Sequence, residues 1–192
     1  MQFRRKLWKK SKEIPEESNT PQPCTWEVSE WVIDIMYDKT ITLFNYYESP
    51  ISGEAVWYPH VLHGVDLNTD RGAIMKKYGA DSTDNAILHI VYYQHATDPE
   101  DDRILIADSS GMIPWVPPKK WKGQTNDTLA ESITFGSDSF FWQGEWDGGV
   151  VNDADYREGF YQYMNSSHDF VFKITSVGGP YTVIPHFEIL GK

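Results

Sequence analysis

The hydrophobic pattern of the chain becomes clearly period-two from residue 40 onward. In "TITLFNYY" (40–47) both alternating faces are largely apolar, which is typical of a strand inside a barrel or sandwich. "ESPISGE" then predicts a turn, and "AVWYPHVLHGV" predicts the returning strand. Because proline cannot donate a hydrogen bond to a ladder, Pro59 predicts an edge position or a bulge in that second strand.

Further strands follow at short intervals, separated by turn signals. They are "NAILHIVYY" (85–93), "RILIA" (103–107), a strand–turn–strand over "ESITFGSDSFFWQGEWDGG" (131–149), and a terminal hairpin in which "GGPY" (178–181) is the turn. "DADYREGFYQYMN" (153–165) has aromatic residues at helical spacing and predicts a short helix. The pattern predicts a mainly β fold: a small antiparallel β-barrel or sandwich with a long middle loop, a short helix and an N-terminal extension.

Charge divides the chain into an arm and a body. Residues 1–12, "MQFRRKLWKKSK", carry six of the 17 basic residues and none of the 28 acidic ones, which leaves a body with a balance of −17. We therefore predict a basic arm and polar linker (1–25), and a single β-rich domain (26–192). The start of the arm is either a helix with Phe3, Leu7 and Trp8 on one side or a disordered tail. An acidic body argues against a broad grip on duplex DNA, which needs Lys and Arg against the phosphates.

Length and cysteine usage limit the remaining classes. A chain of 192 residues is the size of one domain. No apolar stretch follows Lys12, so no secretion signal is expected, and no run approaches the roughly 20 apolar residues of a membrane helix. The single cysteine, Cys24, excludes an intrachain disulfide and a cysteine-based zinc site. We expect a soluble protein made in a reducing compartment.

The titratable residues predict neither a metal site nor an enzyme. His60 and His63 are three apart on a predicted strand, so they point to opposite faces, and we predict packing or interface roles for them. The acidic turns "DPEDD" (98–102) and "NDAD" (152–155) lack the EF-hand spacing and are predicted to be solvated. Nucleophile-elbow and phosphate-loop motifs are absent. No catalytic residue, cofactor or metal is therefore predicted.

The tryptophans leave two alternatives open. Five of them could form a sugar-binding platform, which would make the chain a carbohydrate-binding β-sandwich module: Trp57, Trp115, Trp121, Trp142 and Trp146. A weaker hypothesis is a two-carboxylate glycan hydrolase that uses Glu145, although Asp147, only two residues away, stands too close to flank a sugar with it. The predicted irregular loop (108–128) is long for a compact domain, and its "PWVPPKKWKG" (114–123) predicts a protein contact through Trp115 and Trp121.

Three stretches resemble a known family. They are "DKTITLFNYYESPISGEAVWYPHVLHGV" (38–65), "PPKKWKG" (117–123) and "FVFKITSVGG…PHFEILGK" (170–192). In these the chain resembles the small head-closure proteins, also called stopper or head-completion proteins, of the tailed-phage neck between portal and tail. Residues 1–35 and "FWQGEWDGGVVNDADY" (141–156) depart from that pattern, and an adaptor or tail-completion role in the same neck is the near alternative.

The resemblance implies a structural virion protein rather than an enzyme. Such a subunit would form a six- or twelve-fold ring with copies of itself, bind the portal-adaptor assembly and tail proteins, retain packaged DNA and offer the tail-docking surface. DNA would pass through the channel without sequence-specific binding, no membrane would be involved, and assembly would take place in the host cytoplasm before the protein is part of the virion neck. Partner contacts are expected at Arg4, Arg5, Lys6, Lys9, Lys10, Trp115, Lys119, Lys120 and Trp121.

Overall fold

The computed structural model describes residues 37–70, 72, 76–77, 86–94 and 103–192. The predicted arm and linker (1–25), and the start of the predicted domain, lie outside these residues. The described strands are β1 (Lys39–Glu48), β2 (Ala55–Asn68), β3 (Ala86–Val91), β4 (Tyr93–Gln94), β5 (Ile104–Asp108), β6 (Gly111–Pro114), β7 (Phe140–Trp142), β8 (Val151–Asn152), β9 (Val171–Tyr181) and β10 (His186–Gly191). The helices are α1 (Pro118–Trp121), α2 (Asn126–Leu129) and α3 (Phe160–Ser167), with a 3₁₀ turn at Asp153–Asp155.

Six strands close into a small antiparallel barrel. The order is β1-β7-β9-β10-β3-β2, and β2 pairs back to β1. Each pairing is antiparallel. β8 extends the sheet at the outer edge of β2. The predicted mainly β fold is confirmed, and closure of the sheet leaves the barrel strands with few free edges.

The β1–β2 hairpin is the longest pairing and has the predicted turn. Glu48 pairs with Ala55 at the turn end, and Gly53 adopts a φ of 71° there, a conformation that favours glycine. Near the other end, a register shift accompanies Gly64, whose φ is 63°. Pro59 pairs with Phe44 of β1 and lies between the stretches of β2 that pair with β8 and with β3. The edge position predicted from Pro59 is confirmed.

A small second sheet covers the seam between β2 and β3. Those two strands pair only where Asp66–Asn68 of β2 meets β3, so they diverge beyond that point. The sheet β4-β5-β6 lies against the divergence, where the Ser109 amide donates to the Val61 carbonyl at 2.9 Å. Ile106 of β5 is buried in the main core. The predicted strand "RILIA" is confirmed as β5.

Alternation along the strands separates two main hydrophobic clusters. The larger cluster fills the barrel with side chains from the inward positions of its strands, among them Ile41, Leu43, Leu88, Phe141, Phe187 and Ile189. The second lies on the outer face of β1 and β7, where α3 covers Phe44 and Phe140 with Phe160 and Met164. Deep burial of such aromatic and aliphatic groups is the main stabilising term of this fold.

Three predicted elements differ in extent from the observed ones. The strand–turn–strand expected over 131–149 contains one strand, β7, because the rest of that stretch packs as turns around it. The helix expected over 153–165 begins later, at Phe160. The terminal hairpin is present, but "GGPY" lies inside β9, and the chain turns instead at residues 182–185.

Candidate interaction surface

The predicted irregular loop (108–128) is largely ordered, and the prediction that Trp121 anchors a partner is wrong. The segment holds β6, α1 and α2. Trp121 has no exposed surface. Its ring meets Tyr47 and Tyr58 edge-on, with centroid distances of 6.2 and 6.0 Å, and its indole N–H donates to the Ser132 carbonyl at 3.1 Å. Burial of this large ring stabilises the packing of α1 against the barrel.

Trp115, the second predicted anchor, also packs inward. Its ring is half-buried against the main core, 5.0 Å from Phe187 and 6.5 Å from Phe135 between centroids. The indole nitrogen is buried and has no hydrogen-bond partner among the described residues. At interfaces the indole N–H of a tryptophan usually forms a hydrogen bond. In Trp115 this N–H is buried, so it is not accessible to a partner.

Two of the predicted basic contacts are among the described residues. Lys119 and Lys120 are exposed on α1, where their side chains remain available to a partner. Beside them, Lys122 forms an ion pair with Asp138. Arg4, Arg5, Lys6, Lys9 and Lys10 lie outside the described residues, so their contacts stay a prediction.

A buried asparagine explains how the α1 segment is held at this end of the barrel. Asn45 points inward from β1 and has no exposed surface. Its amide donates to the Thr134 carbonyl at 2.6 Å and to Ser139 Oγ at 3.3 Å, while Oδ1 accepts from the Thr134 amide at 3.0 Å. Such buried polar groups are tolerated when they are hydrogen-bonded, and here they bind the 132–139 segment to the barrel wall.

The histidines of β2 serve separate local contacts. His60 and His63 point to opposite faces, as predicted: His60 is buried and His63 is exposed. His60 Nδ1 lies 3.2 Å from the Asp108 carboxylate, while its Nε2 is buried and has no partner among the described residues. Burial favours a higher pKa for Asp108, but hydrogen bonds from His60 and Ser110 outweigh it and lower that pKa below its ordinary value.

A third histidine bridges two carboxylates on the outside of the barrel. His89 Nδ1 lies 2.9 Å from Asp66, and its Nε2 lies 3.3 Å from Glu188, which also pairs with Lys77. These contacts join β2, β3 and β10 at the seam. The two carboxylates contact different ring nitrogens of His89. Across the described ranges, no group of three His, Cys, Asp or Glu side chains could hold one metal ion.

The clefts near the β1–β2 turn share Tyr46 and Asp138 in their walls. Tyr46 donates its hydroxyl hydrogen bond to Glu48 at 3.0 Å. Burial, followed by that hydrogen bond, raises the pKa of Tyr46 to about 12. A general acid or base for neutral pH needs a pKa near the working pH, so this tyrosine is not tuned for proton transfer.

Two hairpin ends expose aliphatic side chains that the sequence did not single out. Ile51, in the β1–β2 turn, is 97% exposed, and Val183 and Ile184, in the β9–β10 turn, are 96% and 62% exposed. Since every barrel pairing is antiparallel, the ends of β1 and β9 point the same way. We call these three residues the hairpin tips. The signal in the sequence was an aliphatic residue inside each turn-rich stretch.

The five tryptophans of the sugar-binding alternative, all among the described residues, do not form an exposed platform. Trp57 and Trp121 are buried, and Trp115, Trp142 and Trp146 are half-buried. Trp57 donates to Asp153 at 2.7 Å, and Trp146 packs edge-on against Phe160. The rings that motivated the carbohydrate-binding alternative are mostly used for packing.

A family model agrees with the extent of the barrel. It is described as a family of unknown function, DUF6751, and it matches residues 36–192. The chain belongs to the DUF6751 family. The DUF6751 match includes every strand of the barrel and leaves the basic arm outside. No curated protein and no solved structure shows a significant match. Within the described residues, no helix is long and apolar enough to span a membrane.

Proposed function

We propose that this DUF6751 chain is a structural, ring-forming subunit of a tailed-phage neck, in the head-closure position. The observation that carries the proposal is the pair of hairpin tips at one end of the barrel. Isolated exposed aliphatic residues are ordinary, but almost fully exposed ones on two turns at the same end of the barrel favour a protein contact. The described chain enters β1 at the opposite end, so the subunit has two distinct ends, as a layer between two neighbours requires.

The three stretches that resemble head-closure proteins all build this framework. Residues 38–65 form the β1–β2 hairpin, residues 117–123 contain α1, and residues 170–192 contain the β9–β10 hairpin. Both hairpins contribute walls of the barrel, and their turns carry the tips. The resemblance is thus concentrated in the parts that fix the shape of the subunit and the positions of its proposed contacts.

The subunit would use its tips for the next protein along the neck and its sides for copies of itself. A head-to-tail side contact closes into a ring when its rotation is an integral fraction of a full turn. The balance of −17 in residues 13–192 suits a channel wall along which DNA moves without being held. Lys119 and Lys120 are the exposed cations of α1 that would contact an acidic neighbour.

Electron microscopy of a lysate tests the proposal. A phage with a nonsense mutation in this gene is expected to give tailless heads that have lost their DNA, together with free tails of normal length. Free tails of irregular length would move the protein to the tail terminus, which contradicts head closure. Intact infectious particles would remove it from the neck. A silent mutation at the same codon is the matched control.

A further inference from the structure

The outer layer formed by residues 143–170 exposes three large apolar side chains. Val150, Tyr163 and Phe170 are each about half exposed. The helix in this layer, α3, has the sequence FYQYMNSS and no charged residue. The His168 ring lies between Tyr163 and Trp142. Its centroid is 6.2 Å from the Tyr163 ring centroid and 4.9 Å from that of Trp142. We call this surface the α3 face.

Negative charge accompanies the apolar surface. The 143–170 layer has six acidic residues and one basic residue, Arg157. Five of its carboxylates are exposed: Glu145, Asp147, Asp155, Glu158 and Asp169. No Lys or Arg among the described residues lies within ion-pair distance of these five. Protein-binding surfaces usually combine exposed apolar groups with charged ones.

The chain contains a segment of complementary chemistry. Residues 1–12 carry six basic residues and no acidic one, together with Phe3, Leu7 and Trp8. At helical spacing those three side chains share one side, with cations on the others. The segment therefore offers aromatic and aliphatic groups for the exposed apolar side chains and positive charge for the carboxylates, and such complementarity directs association.

The connection to the barrel is long enough for this segment to reach the α3 face. Thr42, on β1, donates to the Gly144 carbonyl at 2.8 Å and accepts from the Trp146 amide at 3.0 Å. Thr42 lies five residues after Tyr37, the residue with which the described chain begins. Residues 13–36 can span up to about 80 Å when extended, and attachment in one chain gives an effective concentration on the order of millimolar. A separate basic protein would have to compete with that concentration.

We propose that residues 1–12 bind the α3 face of the same molecule. This contact is independent of the proposed neck function, since it uses only groups within one chain. It neutralises most of the exposed carboxylates of the layer and covers Val150, Tyr163 and Phe170. In the free subunit the arm is therefore bound rather than available to nucleic acid or to another protein.

Carbodiimide cross-linking of the full-length protein, followed by mass spectrometry, tests the contact. The reagent joins a lysine amine to a carboxylate in direct contact. Equal amounts of unlabelled and ¹⁵N-labelled protein distinguish links within a chain from links between chains. We expect links from Lys6, Lys9, Lys10 and Lys12 to Glu145, Asp147 and Asp169, each within one isotopic form.

Charge reversal supplies the control. Asp155→Lys with Glu158→Lys should reduce the links to the three remaining acids roughly tenfold, since several weak ion pairs are lost together. Glu54→Lys with Glu131→Lys, exposed acids outside the face, should leave them unchanged. Adding Lys9→Glu with Lys10→Glu to the first pair should restore the links from the two lysines that remain, Lys6 and Lys12. Links directed mainly to other acids, links unaffected by reversal, or links found only between chains would each overturn the proposal.

Discussion

Asn45 and Thr134 exchange two hydrogen bonds in the interior of the barrel, from Nδ2 to the Thr134 carbonyl at 2.6 Å and from the Thr134 amide to Oδ1 at 3.0 Å. The asparagine side chain here pairs with the backbone of Thr134 as a neighbouring strand would. The prediction follows that Asn45→Ala lowers the free energy of unfolding by about 2–4 kcal/mol, because two buried backbone groups lose their partners. Urea denaturation measures the change. Asn165→Ala, on the exposed side of α3, is the control, and an equal effect of both variants would contradict the role of Asn45.

Substitution of Trp121 is expected to act mainly on the stability of the fold and only through it on assembly. Trp121→Ala should lower the free energy of unfolding by about 3–5 kcal/mol, since it opens a cavity beside Tyr47 and Tyr58. Trp121→Phe keeps an aromatic ring but removes the donor to Ser132, so its loss should be smaller. Lys120→Ala, one residue earlier and exposed, should change stability by less than about 0.5 kcal/mol. If the Trp121→Ala protein folded with unaltered stability, the result would contradict the buried position of this side chain.

Acid should weaken the attachment of the β5–β6 hairpin through Asp108. Because the pKa of this carboxyl is lower in the folded protein than its ordinary 3.8, its contribution is present above pH 3.8 and is lost as pH falls through the folded value. Asp108→Asn should therefore cost roughly 1.5–3 kcal/mol at neutral pH, the usual range for hydrogen bonds to a charged group. Denaturation curves from pH 7 to pH 2 should converge for the two proteins at the acid end. Glu131→Gln, which changes an exposed carboxyl outside the α3 face, is the matched control, and curves that diverge on acidification would refute the assignment.

Substitutions at the hairpin tips should impair assembly without lowering the stability of the fold. Ile51→Ser with Val183→Ser removes apolar groups that are already in water, so the melting temperature should hold, with a change in unfolding free energy below about 0.5 kcal/mol. Supplied from a plasmid, this variant should fail to complement the nonsense mutant as the wild type does. Ile189→Ser, inside the barrel, is the contrasting variant, which should lose both stability and complementation. Full complementation by the tip variant would show that the tips have no partner.

Local pairings could be predicted from the sequence, and distant ones could not. The β1–β2 hairpin and the β9–β10 hairpin follow from alternation on either side of a turn, which involves neighbouring residues only. The pairing of β1 with β7 joins Thr42 to Trp142, and no periodic signal specifies a partner so far along the chain. The closed barrel was therefore one of two architectures that the pattern allowed.

The errors at the candidate surface have physical causes. A tryptophan in a proline-bounded segment looks the same in sequence whether its ring points inward or outward, so the sequence predicts a partner contact for Trp121 although its ring is buried. Gly178 and Gly179 suggested a turn, yet they lie in β9, where a Cβ at Gly178 would come within 2.6 Å of the Tyr181 hydroxyl. The glycines permit a close approach rather than a reversal, and the turn moved onward to the aliphatic residues of the hairpin tip.

The position of β10 also sets the time at which the subunit can fold. β10 lies between β9 and β3, so the wall has a gap until residues 186–191 have been synthesised. A nascent chain up to that point has its β1–β2 hairpin but an open core, with the inner side chains of β3 facing water. Domains fold as units during synthesis at about 5–20 residues per second, so this barrel has to close after its last strand leaves the ribosome. Premature termination before β10 would thus yield an aggregation-prone fragment instead of a shortened subunit.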